Sequence, residues 1–211
     1  MKFAFIVDPL EKLKAYKDSS VAMMRAATNR GHEVFAIQRE SLTVRDGVVT
    51  ASAAALAIGM DDDNWARPEI PQRQPLTAFD TVLMRQDPPF DAEYVAATWL
   101  LERAVANGAR VFNSPRAIRD HSEKVSIAEF PQFTPITLVA REASDINAFI
   151  DELGDTILKP LDGMGGSGIF RVRKGDPNRN AIIETLTAFG ERSIMVQRYQ
   201  PEIADGDKRV L

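Results

Sequence analysis

The sequence predicts an α/β protein in two parts, a parallel-sheet domain at the N-terminus and an α+β domain behind it. Three observations predict this. A strand, a helix and a second strand succeed one another at the start, and a βαβ order demands parallel strands. The later half changes character, with short apolar runs set close together around glycine turns. The chain has 211 residues, 45% hydrophobic and 27% charged, enough for one large domain or two small ones.

The elements follow in order. "KFAFIVD" is a short apolar run cut off at Pro9, a buried strand. "DSSVAMMRAATNRG" is a helix with Asp18 or Ser19 as N-cap and Gly31 as its stop. "HEVFAIQ" is the second strand. "LTVRDGVVTA" sets Asp46-Gly47 between two β-branched runs, a hairpin with a primed turn. Residues 60–76, acidic and then proline-rich, suggest a long surface loop. "FDTVLMRQDPPFD" is a strand ended by Pro88-Pro89, "AEYVAATWLLERAVANG" an amphipathic helix stopped at Gly108, and "ARVFN" a strand. Ser114-Pro115 is an N-cap followed by proline in the first helical position. A boundary falls near residue 123. Beyond it come a short helix ("SEKVSIAEF"), a strand ("ITLVA"), a capped helix ("SDINAFIDELG") and a strand ("DTILKPL"). Then follow a strand ("GIFRVRK"), a helix ("NAIIETLTAFG") and a strand ("SIMVQRY"), the strands adjacent through hairpins. "DGDKRVL" looks like the start of one more strand.

Composition excludes several classes. A net charge of −4 gives no electrostatic reason to hold nucleic acid. With no cysteine there is neither a disulfide nor a thiolate metal site. The N-terminal apolar run is too short for a signal peptide, and no stretch approaches a membrane span, so a cytoplasmic protein is expected.

"TILKPLDGMGGSGIFRVRK" carries the chemistry. Gly163, Gly165 and Gly168 spell G-x-G-x-x-G. A dinucleotide loop must lead into a helix. Here "IFRVRK" follows, with Arg171 and Arg173 alternating with Phe170 and Val172, a strand. No Gly-Lys-Ser/Thr ends the run, so it is not a Walker A loop. Two readings remain for the loop alone: a glycine flap whose backbone N–H groups approach phosphate, or a flexible hairpin tip beside a chance lysine.

The surroundings extend the pattern. "ILKPLDGMGGSGIFRV" and "MVQRYQPEIADGDKRVL", with "KDSS" near the start and "MRQDPPFD" in the middle, resemble the bacterial-type glutathione synthetases, which are ATP-grasp ligases. The resemblance implies a pre-ATP-grasp domain over 1–123 and an ATP-grasp subdomain with its flap over 124–198. A hinge and the start of a second ATP-grasp subdomain would fill 199–211, with most of that subdomain missing. It implies ligation of γ-glutamylcysteine to glycine with ATP and Mg²⁺ (Mn²⁺ being possible), in a homo-oligomer, commonly a tetramer. It implies no nucleic-acid or membrane partner.

By the same resemblance Lys159 contacts ATP phosphates, a task suited to a compact ammonium, and Lys124 matches the family's other nucleotide lysine. Gly163, Met164, Gly165, Gly166, Ser167 and Gly168 form a lid over the phosphates. Backbone groups from Gln197 through Tyr199 to Gln200 meet the adenine edge, with Met195 beside the ring. Asp207 goes to the ribose hydroxyls and Arg209 to the phosphates, so Lys159 and Arg209 are the residues expected to act in catalysis. Lys17, Ser19 and Arg85 are assigned to the γ-glutamylcysteine peptide: the first two precede a helix N-terminus, and Arg85 ends a parallel strand. His32 and His121 receive no role. The substrate's carboxylate would attack the γ-phosphate, and glycine's amine would displace phosphate from the acyl phosphate. In the family pattern the metal ligands, the glycine site and a second mobile loop come after residue 211, so no metal ligand is expected in this chain and the chain alone is expected to be inactive. Another ATP-grasp carboxylate–amine ligase, a non-catalytic ATP-binding module and a scaffold stay open as alternatives.

Overall fold

A computed structural model describes residues 1–208, and its packing divides the chain into two units, Met1–Asp120 and a second from His121 onward. In the first, β1 (Lys2–Ile6) is followed by α1 (Ser19–Asn29) and β2 (Glu33–Ile37), which pairs parallel to β1 from Lys2↔Glu33 to Ile6↔Ile37. The helix starts where the Asp18 carboxylate accepts the N–H groups of Ser20 (2.7 Å) and Val21 (3.1 Å), satisfying donors that have no intrahelical partner. β3 (Thr43–Arg45) and β4 (Val48–Ile58) form the expected hairpin. Asp46 and Gly47 have φ of 51° and 78°, as a type I′ turn requires at both central positions.

Residues 60–76 are not simply a loop. They contain β5 (Ala66–Pro68) and β6 (Gln72–Pro75), both antiparallel to β4. β4 is eleven residues long, and its backbone groups need partners along that whole length. Pro68 and Pro75 stand at the ends of these short strands, where a missing N–H is tolerated. β7 (Thr81–Met84) then pairs parallel to β1 on its other side, α2 (Ala92–Ala106) follows, and β8 (Val111–Phe112) pairs parallel to β7. α3 (Pro115–Asp120) closes the unit. The strand order is β3-β4-β2-β1-β7-β8, so the winding reverses between β1 and β7. Tyr94, Ala97, Leu101 and Ala104 of α2 cover one face of the sheet; Val21 and Met24 of α1, with Trp65, cover the other.

In the second unit the expected short helix after residue 121 is instead two 3₁₀ turns, Val125–Glu129 and Pro131–Phe133. Pro131 keeps Phe130 out of the helical region (φ −128°, ψ 52°), so no longer helix can form. β9 (Thr137–Ala140), α4 (Ala143–Leu153), β10 (Asp155–Pro160), β11 (Phe170–Arg173), α5 (Arg179–Thr187) and β12 (Ile194–Arg198) complete it. α4 begins earlier than "SDIN" suggests: Glu142 is the cap residue without a side-chain bond, and Asp145 lies in the first turn, where it still complements the helix dipole. The sheet is antiparallel throughout, in the order β11-β10-β12-β9. Only β10 and β11 are sheet neighbours joined without an intervening helix, so adjacency through hairpins holds for that pair alone. α4 and α5 must bury their apolar stripes on the sheet, and the chain passing through them places β12 between β10 and β9. Ile146, Ile150 and Ile183 of the helices pack with Leu158, Val172 and Val196. Residues 206–208 have no regular structure, and the rest of the strand expected from "DGDKRVL" lies outside the described residues.

Candidate nucleotide site

Side chains alternate across a strand. Thr156, Leu158 and Pro160 of β10 therefore lie on one face, and Asp155, Ile157 and Lys159 on the other. Leu158 belongs to the core under α4 and α5, so Lys159 is on the face away from it. Register sets Met195 opposite Lys159 and Gln197 opposite Ile157, on that same face. Lys159 is half-buried, and among the described residues its ammonium has no hydrogen-bond or ion-pair partner. Burial lowers its pKa from the ordinary 10.5, the nearby charge of Lys124 lowers it further, and Glu123 acts weakly the other way.

Lys124 reaches the flap. Its Nζ donates to the carbonyl oxygen of Gly163 at 2.5 Å, and its side chain is 15% exposed. Glu123 stands 3.8 Å from it and is itself largely exposed. Two ammonium groups thus meet at the root of the glycine turn. The turn joins antiparallel β10 and β11, and no helix starts in it, so the dinucleotide reading fails on its structural requirement. Gly165 and Gly166 have φ of 65° and 82°, a left-handed pair that side chains resist, with Met164 and Ser167 on either side of it. Ser167 N–H donates to the Met164 carbonyl at 3.3 Å. At Gly163 the reason for glycine is space: a Cβ would stand 2.9 Å from Pro160 Cγ, at the foot of the flap.

β12 is less open than expected. Arg198 N–H donates to Ile136 O and Tyr199 N–H to Asp155 O, both at 3.0 Å, so these two donors already serve the fold. Gln197 is buried and its side-chain amide donates to Thr137 Oγ1 at 2.9 Å. Met195 is 1% exposed. The Arg171 guanidinium lies over the Tyr199 ring, 3.5 Å from its centre, and holds Asp155 with two bonds of 2.9 and 2.6 Å. Asp207 is exposed; Arg209 lies outside the described residues.

In the first unit, two of the three residues assigned to peptide meet. Arg85 Nη2 donates to Ser19 Oγ at 2.7 Å, and its Nε to Ser20 Oγ at 3.2 Å. Lys17 is exposed, its ammonium 5.6 Å from the centre of the Tyr16 ring. The Arg85 cluster sits at the carboxyl end of β7 beside β1, where the winding reverses and where open α/β sheets bind ligands. Sequence reasoning missed Ser20, Asp8 and Gln86 here. Asp8 accepts from Asp87 N–H at 3.0 Å and from the Gln86 amide, while Gln86 Oε1 is buried without a hydrogen-bond partner. For Asp8 and Gln86 the available signal was their position just after β1 and β7; for Ser20 it was the first turn of α1. Among the described residues no three or more His, Cys, Asp or Glu are grouped so that they could hold a metal ion.

A mixed sheet, antiparallel where β2 meets β4 and parallel over β2-β1-β7-β8 where the reversal crevice lies, followed by an antiparallel unit whose glycine flap is flanked by two lysines, defines a protein of the ATP-grasp class. Solved structures share the fold: an ATP-grasp RimK domain protein of Sphaerobacter thermophilus (TM-score 0.60, 21% identity, 95% of this chain and 65% of that one) and the D-cycloserine synthetase DcsG (TM-score 0.61, 17% identity, 96% and 61%). Two family models match, the prokaryotic glutathione synthetase N-terminal domain over residues 1–119 and the prokaryotic glutathione synthetase ATP-grasp domain over residues 123–211. The chain belongs to the prokaryotic glutathione synthetase family. It is 54% identical to the glutathione synthetase of Ralstonia nicotianae over 211 residues, all of this chain and 65% of the relative. It is 52% identical to that of Nitrosomonas europaea, again over the whole chain and 67% of the relative. The chain thus spans about two thirds of the length of the curated relatives it matches.

Proposed function

We propose that this chain provides the nucleotide flap and the peptide crevice of a glutathione synthetase, which joins γ-glutamylcysteine to glycine with ATP. The observation that carries this is the Lys159 ammonium: half-buried, unpartnered among the described residues, and placed with Lys124 at a glycine turn. Glu123, 3.8 Å from Lys124 and largely exposed, is one carboxylate beside two ammonium groups, so positive charge is left over, and a polyphosphate fits that need. Ser19 and Arg85, with Lys17 beside them, hold a carboxylate of the peptide. Gln197, Tyr199, Asp207 and Arg209 complete the nucleotide's surroundings. The residues work by neutralising phosphate charge and fixing the geometry of attack, as phosphoryl transfer requires. The substrate carboxylate takes the γ-phosphoryl group with loss of ADP, and glycine's amine then displaces phosphate. The family's chemistry includes a divalent metal, Mg²⁺ in our reading, but the described residues do not form its cage and no step here runs through it. The boundary near 123, the hinge at 199, a cytoplasmic setting and a homo-oligomer belong to the same proposal.

The test uses a protein that carries this chain at the full length of its relatives. ADP release and glutathione formation should both require ATP, γ-glutamylcysteine and glycine. ADP release with a different acid in place of the peptide would make it another ATP-grasp ligase, and nucleotide binding without turnover would make it a binding module. Arg85→Ala should raise the KM for the peptide and leave that for ATP nearly unchanged; the reverse pattern overturns the assignment of the crevice.

A further inference from the structure

We propose that a cleft of about 560 Å³ on the α1 side of the first unit's sheet binds a small organic cation, an amine carried on a compact apolar body. This goes beyond the ligase reading and does not depend on it. The cleft lies over β2 and β4, on the other side of β1 from the Arg85 crevice, and Asp8, which lines it, also accepts from Gln86 and Asp87 after β7.

The cavity itself is the first observation. Protein interiors are close-packed, with few voids larger than a water, whereas 560 Å³ lies within the range of small-molecule pockets. The floor explains the space. Ala36 of β2 is paired with Ala54 of β4, and Ser52, two residues along β4, shares their face. Three small side chains leave open what larger ones would fill. The wall is Trp65, 6% exposed, from the start of the β5 segment.

The lining sets the ligand's charge. Asp8 and Glu11 come from the turn after β1; Asp63 and Glu69 come from either side of β5. Among the described residues lining the cleft there is no lysine, arginine or histidine. None of the four carboxylates forms an ion pair with a described residue, and the donors to Asp8 are neutral amides. Four negative charges over an apolar floor make a local potential that attracts cations and repels anions. An indole face favours the same sign of charge. An apolar body would rest on Ala36 and Ala54 while its ammonium remained at the acidic rim.

Phenethylamine is the probe, with 2-phenylethanol as neutral analogue and 3-phenylpropionate as anionic analogue. The full chain carries two tryptophans, and Trp99, 60% exposed, is replaced by Phe so that fluorescence reports Trp65. Phenethylamine should change the emission saturably, bind more weakly as salt rises, and bind tighter than the alcohol, with the carboxylate weakest. Glu69→Gln and Asp63→Asn, both at exposed positions, should each weaken the amine by about two- to fivefold. Ala54→Leu should abolish binding by filling the floor. If Ala54→Leu fails to fold, the two rim variants decide. Equal affinity for amine and alcohol, no saturation, or unchanged binding in the rim variants would overturn the proposal.

Discussion

β10 carries two cation environments on one face, four residues apart, and they differ in kind. At its Asp155 end, the guanidinium groups of Arg171 and Arg173 approach one carboxylate at 2.6 and 3.3 Å, and Arg171 also covers the Tyr199 ring. Both guanidinium groups there have that carboxylate as a direct partner within the sheet. At its Lys159 end, Lys124 has Glu123 at 3.8 Å and the Gly163 carbonyl, whereas Lys159, within reach of the Lys124 charge, has no partner among the described residues. The first end is self-sufficient and the second is incomplete. Positive charge alone therefore does not mark a binding site; positive charge that the fold leaves unanswered does.

The largest effect should come from Lys159→Ala, measured in a protein of the relatives' full length. Removing one partner of a buried charge-assisted contact costs about 2–5 kcal/mol, or roughly 30- to 4,000-fold in ATP use. Arg171→Ala, at the satisfied end, should leave ATP kinetics near wild type, as should Lys14→Ala on an exposed turn. Equal loss in the Lys159 and Arg171 variants would erase the distinction between the two ends. Lys124→Ala should have a smaller effect, about 1–3 kcal/mol on nucleotide affinity, because Lys124 already holds the Gly163 carbonyl and part of its loss is a loosened flap. Calorimetric titration of nucleotide orders the two lysines, and a Lys124 effect larger than that of Lys159 would reverse their roles.

Much of this comparison was legible in the sequence, and the exceptions have physical causes. The alternation of "IFRVRK" predicts a strand after the flap, and β11 follows it. The βαβ start and the Asp46-Gly47 turn are local signals, and both were readable because local backbone preferences decide them. β5 and β6 were hidden because prolines argue against strands, and only the long neighbouring β4 makes them pair. The 3₁₀ turns replaced a helix because Pro131 acts on the residue before it. At the site, Lys159 stood out by its motif, but the contact of Lys124 with Gly163 spans 39 positions and no spacing rule contains it. Likewise the alternation of Arg171 and Arg173 with Phe170 and Val172 predicts the strand but not the Asp155 carboxylate that register sets beside them. Tyr199 and Gln197 were assigned to nucleotide, whereas the ring and the amide are first of all engaged by Arg171 and Thr137.

A pH series sharpens the comparison with a smaller effect. The pKa of Lys159 is lowered from 10.5 by burial first and by Lys124 second. Bound phosphate would favour the charged form, so nucleotide binding should take up a proton in the alkaline range, and affinity should fall as pH rises through the lowered value. Folding stability should move the other way. Between the lowered value and 10.5 the unfolded chain binds more protons than the native one, so this lysine's contribution to stability rises with pH across that window. Lys159→Met should abolish both slopes. Retention of the affinity slope would assign it to another group.

The smallest effect belongs to the satisfied end. Asp155 has its pKa lowered from 3.8, first by the hydrogen bond from Arg171 and then by the charges of Arg171 and Arg173. A carboxylate with a lowered folded pKa contributes stability that is present above its unfolded value and is lost as pH falls through the folded one. The contribution is modest, because the Asp155 side chain is 33% exposed and solvent screens the pair. Arg171→Gln removes the leading cause while keeping a side chain over Tyr199. The Asp155 carboxyl, followed by NMR, should then titrate nearer 3.8, and the acid unfolding midpoint should move to slightly higher pH. Nucleotide affinity at neutral pH should stay within about twofold of wild type, since the charge removed was already answered by Asp155. An unmoved Asp155 titration would mean that Arg173 alone holds the carboxylate. A loss of nucleotide affinity as large as that of Lys124→Ala would mean that both ends of the β10 face serve the ligand, and the contrast between them would fail.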